Sequence, residues 1–240
     1  GKLSIGYNAR MNPVRDDKSF DVSTISAQPK EAPTGLPISN GMKTALLSAY
    51  QKTDMLVDFA RELKKRGWDI LASAGTVKFL AGKGIEVTDV ATIVGPPILG
   101  HRVVTLSREI HAGLLARSAF AEASKDKTED EAELQKLGLR RIDLVYVDLY
   151  PLQEEIAKPG ATEESVIEKT DIGGPALLRS AAKGRRIVLS NPAQFKAALE
   201  YIDSAKEDKK YLATLAAEAE SIVAAYASVS SNLNSKILTS

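Results

Sequence analysis

The stretch KTALLSAYQKTDMLVDFARELKKRGWDILASAGTVKFLAGKGIEVTDV, residues 43–90, decides the fold. It opens with KTALLSA (43–49), an apolar run of strand length. TDMLVDFARELKKRG (53–67) follows, with Met55, Leu56, Phe59 and Leu63 at helical spacing and Gly67 as a stop. DILAS (69–73) reads as a second strand. AGTVKFLAGKG (74–84) reads as a glycine turn and a short helix, and IEVTDV (85–90) as a third strand. Strands and helices alternating at this spacing predict a parallel sheet with helices on its faces, an α/β fold.

The same alternation continues downstream. IDLVYVDLYP (142–151) is the strongest strand pattern in the chain, closed by Pro151, and RIVLSNP (186–192) is one more. KKYLATLAAEAESIVAAYASV (209–229) is helical. Its alanine-rich part suits either a helix covering the sheet or a contact with a second chain. AEASKDKTEDEAELQKLG (121–138) is highly charged and reads as a solvated helix or loop. Residues 1–42 are rich in Pro, Ser, Gly and Asn without periodicity and read as an extended arm ahead of a domain over 43–240.

Composition narrows the function. With 44% hydrophobic and 26% charged residues the chain is an ordinary globular one, and a net charge of +1 does not indicate a broad polyanion-binding surface. There is no cysteine, which excludes disulfides, thiolate catalysis and cysteine-based zinc sites. No apolar run approaches the ~18 residues of a membrane span, and no signal peptide is evident. A cytoplasmic protein without nucleic-acid or membrane partners is the expectation.

In open parallel sheets, ligands bind beyond the carboxyl ends of the strands. The residues there repeat one chemistry. Ser48, Lys52 and Thr53 follow the first strand; Ser73, Gly75 and Thr76 follow the second. Arg102 and Thr105 follow the third, past the turn GPPILG (95–100). Hydroxyls, small residues and cations at one edge suit a phosphate monoester. TDIGGPALLRSAAKG (170–184) adds Gly173 and Gly174 for close approach, Pro175 for a first helical turn, and Asp171 to cap that helix or face a ligand. Lys183 then falls at the helix C-terminus with Gly184 as a stop. The two histidines, His101 and His111, have no acidic or cysteine partner at metal spacing, so no metal site is expected.

These segments, in order, resemble the inosine monophosphate cyclohydrolase domain of the bifunctional purine biosynthesis enzyme, most specifically through DLYP (148–151) and DIGGPALLRSAAK (171–183). The resemblance covers residues 43 to about 235. It implies a methylglyoxal-synthase-like, doubly wound parallel sheet with C-terminal helices, no cofactor, and a homodimer. It also implies closure of a formamido-imidazolecarboxamide ribonucleotide to inosine monophosphate and water. By resemblance Tyr150, Asp171 and Lys183 are catalytic, and Arg102, Thr105, Ser48, Lys52, Thr53, Ser73, Gly75 and Thr76 bind substrate. His111 is expected to be an internal, hydrogen-bonded residue at a helix start, and His101 a surface one.

The chain departs from the family in the loop that carries a further lysine. Where the family has RVKTLHP, this chain has RVVTLSR, with Val104 for lysine, Ser107 for histidine and Arg108 for proline. The asparagine ahead of LYP is Asp148. Removing one preorganised donor typically costs on the order of 10²–10³ in rate. Arg108 is a candidate to offset Asp148 or to meet the phosphate. Three readings follow: a cyclohydrolase with a rearranged site, an enzyme for a related imidazole or purine ribonucleotide, or a non-catalytic ribonucleotide-binding module partnering a separate formyltransferase.

Overall fold

The computed structural model describes residues 42–100, 102–117, 125–206 and 208–237. All of the arm expected over 1–42 except Met42 lies outside the described residues, as does His101.

Strands β1 (Thr44–Ser48), β2 (Asp69–Ala72), β3 (Thr88–Asp89), β4 (Leu144–Val147) and β5 (Ile187–Leu189) form one sheet in the order β3-β2-β1-β4-β5. Every pairing is parallel. From β1 the chain moves outward one way through β2 to β3, then the other way through β4 to β5. This is the doubly wound arrangement expected from the sequence, and its direction switches between β1 and β4. The two edge strands are shorter than their patterns. IEVTDV pairs only at Thr88–Asp89, because β3 has one neighbour to hold it.

Right-handed crossovers in opposite directions place α1 (Asp54–Lys65) and α8 (Gly173–Lys183) on opposite faces. Thr53 caps α1 by accepting the Leu56 N–H at 3.3 Å. Leu56, Val57, Phe59, Ala60 and Leu63 form its buried stripe. Met55, expected in that stripe, is instead 55% exposed, since the helix turns its Leu56–Val57 edge to the sheet. Phe59 stacks on Phe195, which opens α9 (Phe195–Ser204), with ring centroids 4.1 Å apart. The buried Tyr146 of β4 meets Phe195 edge-on at 4.7 Å.

Short helices α2 (Ala74–Ala81), α3 (Ala91–Val94) and α4 (Arg108–Leu115) connect the first half of the sheet to the second. The charged segment carries α5 (Lys125–Lys136), and α6 (Leu152–Ala157) and α7 (Glu163–Glu168) lead into α8. The C-terminal helix α10 runs from Lys209 to Ile237, beyond the expected range. By length and apolar composition its Lys209–Leu233 part would suffice to cross a bilayer, which the sequence reading did not anticipate. Leu212, Leu215, Ala216 and Ala219 are buried in the main core, as in a helix that covers a sheet.

Gly184 ends α8 for a reason other than a left-handed turn. Its φ is −74°, while Arg185 takes the left-handed conformation at φ 54°. A Cβ on Gly184 would stand 2.0 Å from the Leu114 carbonyl oxygen, so glycine is needed for close approach to the end of α4. The same helix end is closed by the buried Arg186, which donates to the carbonyls of Leu114 (2.9 Å) and Ala116. Burial and the neighbouring Arg141 pull its pKa down to about 10. Gly184→Ala is expected to destabilise the fold by about 1–3 kcal/mol, the usual range for overpacking, because backbone rather than a side-chain tip must yield. Urea melts will measure it, and an unchanged midpoint would contradict the packing described.

Candidate active site

The carboxyl ends of β1, β2 and β4 converge on one rim. At the end of β1 the Ser48 hydroxyl lies 3.3 Å from Ser73 Oγ, which lies 3.2 Å from Thr76 Oγ1. Thr76 is fully buried, and its oxygen accepts the Ala49 N–H at 3.1 Å. These hydroxyls therefore lock the β1 and β2 ends together. Ser73 occupies the N-cap of α2 but makes no side-chain cap bond, so the first-turn N–H groups of α2 are left uncapped by it. Gly75 sits in that first turn, and the Lys52 side chain passes 4.0 Å from where its Cβ would be. A helix N-terminus without a side-chain cap and a nearby lysine are features suited to an anion.

Across the switch point, Asp148 follows β4. Its carboxylate accepts the Tyr50 N–H and, at 2.8 Å, the Gln51 N–H, tying the β1–α1 turn to the end of β4. Burial raises its pKa, and these two N–H groups together with Lys52 pull it back. Burial also lowers the Lys52 pKa, against the attraction of Asp148. Lys52 Nζ donates to the carbonyls of Ala49 and Tyr50. The Tyr50 and Tyr150 rings face each other over the crevice, with centroids 4.7 Å apart and planes tilted by 50°. Lys169 Nζ stands over Tyr150, 5.6 Å from its ring centre, a cation–π contact.

Asp171 closes the far side. Its Oδ1 accepts the Gly174 N–H at 2.9 Å, capping α8, and its own N–H donates to Tyr226 Oη of α10 at 2.7 Å. Burial raises its pKa, opposed by the Gly174 and Gly173 N–H groups. The glycines bring these side chains close: a Cβ on Gly173 would meet Thr105 Oγ1 at 2.8 Å, and one on Gly174 would meet Asp171 Oδ2 at 2.4 Å, so either side chain would have to move. Thr105, Gly173, Gly174 and Asp171 are thus one cluster.

Four residues expected at the site have other placements or partners in this structure. Lys183 ends α8, which runs away from the rim. At ~1.5 Å rise per residue it lies about 18 Å along the helix from Asp171, too far to act with it in one chain. Arg108 opens α4 beyond the Ser107 cap, with its side chain 82% exposed and Glu109 at 3.8 Å. It therefore does not pair with Asp148, whose oxygens are taken by backbone. Thr53 is committed to capping α1. Arg102, also exposed, pairs with Glu168 of α7 at 2.8 Å and straps the 98–107 loop to the segment before Asp171. Val104 packs against the main core. His111 hydrogen-bonds Ser180 at 2.8 Å between α4 and α8, as expected of an internal histidine. No His/Asp/Glu group capable of holding a metal occurs among the described residues.

Sequence reasoning missed Tyr50, Lys169 and Tyr226. The first two flank assigned segments and were within reach of it. Tyr226 carries no local signal, because its contact spans 55 residues.

An MGS-like domain model matches residues 55–176, half of the chain. The chain belongs to the MGS-like domain family. The family includes relatives called bifunctional purine biosynthesis protein PurH. The one from Oceanobacillus iheyensis is 37% identical over 193 residues, 79% of this chain and 36% of that protein. The one from Synechococcus elongatus is 46% identical over 156 residues, 63% of this chain and 29% of that protein. The chain thus spans about a third of the length of the curated relatives it matches. The crystal structure of ForH superposes with a TM-score of 0.66 at 30% identity, covering 80% of this chain and 98% of that one. The family resemblance read from DLYP and DIGGPALLRSAAK is borne out.

Asp171 also gives a pH prediction. With a folded pKa raised above the unfolded one, its contribution to stability is present below the unfolded pKa and is lost as pH rises through the folded pKa. Asp171→Asn keeps an oxygen for Gly174 and removes the charge. Stability should therefore fall less steeply as pH rises just above the ordinary carboxylate range, as followed by thermal melts. An unaltered slope would contradict the burial described for this carboxyl.

Proposed function

We propose that the rim binds a purine-pathway ribonucleotide by its 5′-phosphate and closes the last ring of the purine, converting formamido-imidazolecarboxamide ribonucleotide to inosine monophosphate and water. One observation carries the reading. The N-terminus of α2 follows β2, and the Tyr150 and Asp171 segment follows β4, on the two sides of the β1/β4 switch point, where open α/β sheets take their ligands. The relatives' names point to the same pathway.

The substrate holds both reacting groups, so proximity is largely its own. The carboxamide nitrogen bonds to the formyl carbon and gives up one proton, the formamido nitrogen gives up a second as the ring double bond forms, and the formyl oxygen takes up both and leaves as water. Asp171, whose pKa burial raises, is suited to take the carboxamide proton. The Tyr150 hydroxyl is suited to donate to the developing oxyanion, with Lys169 beside its ring supplying positive potential. A homodimer remains part of the proposal.

A second reading rests on Val104. Packed on the core, it offers no donor where the family resemblance implies a lysine. The rim would then hold a ribonucleotide without turning it over, or act on a related one.

Ultraviolet absorbance of the formamido substrate separates the readings. Ring closure well above the uncatalysed rate is expected. Tyr150→Phe and Asp171→Asn are each expected to lower it by about 10²–10³-fold, the scale of one preorganised group. Saturable binding of inosine monophosphate with no turnover would overturn the enzyme and leave the binding module.

A further inference from the structure

Helix α10 comes to the rim from the far end of the chain. Its first half belongs to the core, through Leu212, Leu215, Ala216 and Ala219. Past Ala219 no described residue of the helix is fully buried, and Val223, Tyr226 and Ser230 continue the inward stripe as half-buried positions. Tyr226 reaches the candidate site.

Its hydroxyl makes two hydrogen bonds to one short segment. It accepts the Asp171 N–H at 2.7 Å and donates to the Lys169 carbonyl at 3.4 Å. Burial raises its pKa against the Asp171 N–H, and Asp171 and Tyr150 nearby add to the rise, so the hydroxyl keeps the proton it donates. The N–H groups of Lys169 and Thr170 bond back to carbonyls of α7, at 3.2 and 3.0 Å. The Asp171 N–H is the first beyond that helix end to be held from outside, and Tyr226 holds it. Both ends of the gripped segment carry site groups. Lys169 stands over the Tyr150 ring, and Asp171 caps α8 through Gly174. A phenylalanine would meet the packing of the ring. The hydroxyl is what reaches the backbone, where a part-buried N–H without an acceptor is costly.

We propose that Tyr226 is a positioning residue: from α10 it sets the placement of Asp171 and Lys169 against Tyr150, so that the C-terminal helix is part of the catalytic apparatus. The inference rests on the reading of the rim as a ring-closing site. A small displacement of reacting groups is enough to slow such a step, since proximity effects depend on geometry at the ångström scale.

Steady-state ring closure of formamido-imidazolecarboxamide ribonucleotide, together with thermal melts, tests it on the full chain. Tyr226→Phe keeps the ring and removes both hydrogen bonds. It is expected to lower kcat by about 10–100-fold while KM stays within about twofold, the split that misplaced reacting groups give. Val223→Ala, three residues earlier on the same stripe and packed against the core, is the packing control. It should lower the melting temperature and leave kcat unchanged. A Tyr226→Phe protein with the original kcat, or a Val223→Ala protein with an equal loss of kcat, would overturn the proposal and leave the ring-closing reading in place. No ring closure by the unsubstituted chain would overturn both.

Discussion

At the carboxyl end of the sheet, the Asp148 carboxylate accepts the Tyr50 and Gln51 N–H groups and so ties β4 to the turn leaving β1. β1 pairs with β2 on one side and β4 on the other, so this tie spans the point where the sheet's winding reverses. It sets the distance between the α2 N-terminus and the Tyr150–Asp171 side, and it brings the Tyr50 and Tyr150 rings into contact. A free carboxylate here would be unfavourable beside the phosphate of the proposed ligand. Here its negative charge is turned toward backbone donors and faces Lys52. The family resemblance has an amide at this position. The acid instead grips two N–H groups at once.

Long-range contacts complete the rim. Arg102 and Glu168 strap the loop after β3 to the segment before α8. Tyr226 of α10 fixes the backbone of Asp171, which in turn caps α8. The glycines at 173 and 174 let Thr105, Leu149 and Asp171 approach the start of α8, and a Cβ at either would displace those side chains. The site is therefore assembled from four separate connections and one distant helix.

Much of the fold was legible because buried parallel strands and capped amphipathic helices write short, local patterns. TALLS, DILA, LVYV and IVL all became strands, and Thr53 and Gly67 bounded α1 as read. Strand β3 was overread because edge pairing depends on a neighbour, not on IEVTDV itself. Met55 was misplaced because a four-residue spacing leaves the helix free to rotate by one position. The hydroxyls of Ser48, Ser73 and Thr76 were legible as a recurrent chemistry at strand ends, and they meet there. Lys183, twelve residues after Asp171 in sequence, stands about three turns away along α8. Val104 likewise reads as a lost cation in sequence and as core packing in the structure.

The central claim is that the rim over β1 and β4 seats a ribonucleotide by its phosphate. Amide hydrogen exchange with and without inosine monophosphate tests it most directly. The account predicts slowed exchange in the β1–α1 turn, the first turn of α2 around Gly75, and the Asp171–Gly174 cap. Protection absent from all three rim segments at saturating nucleotide would contradict it.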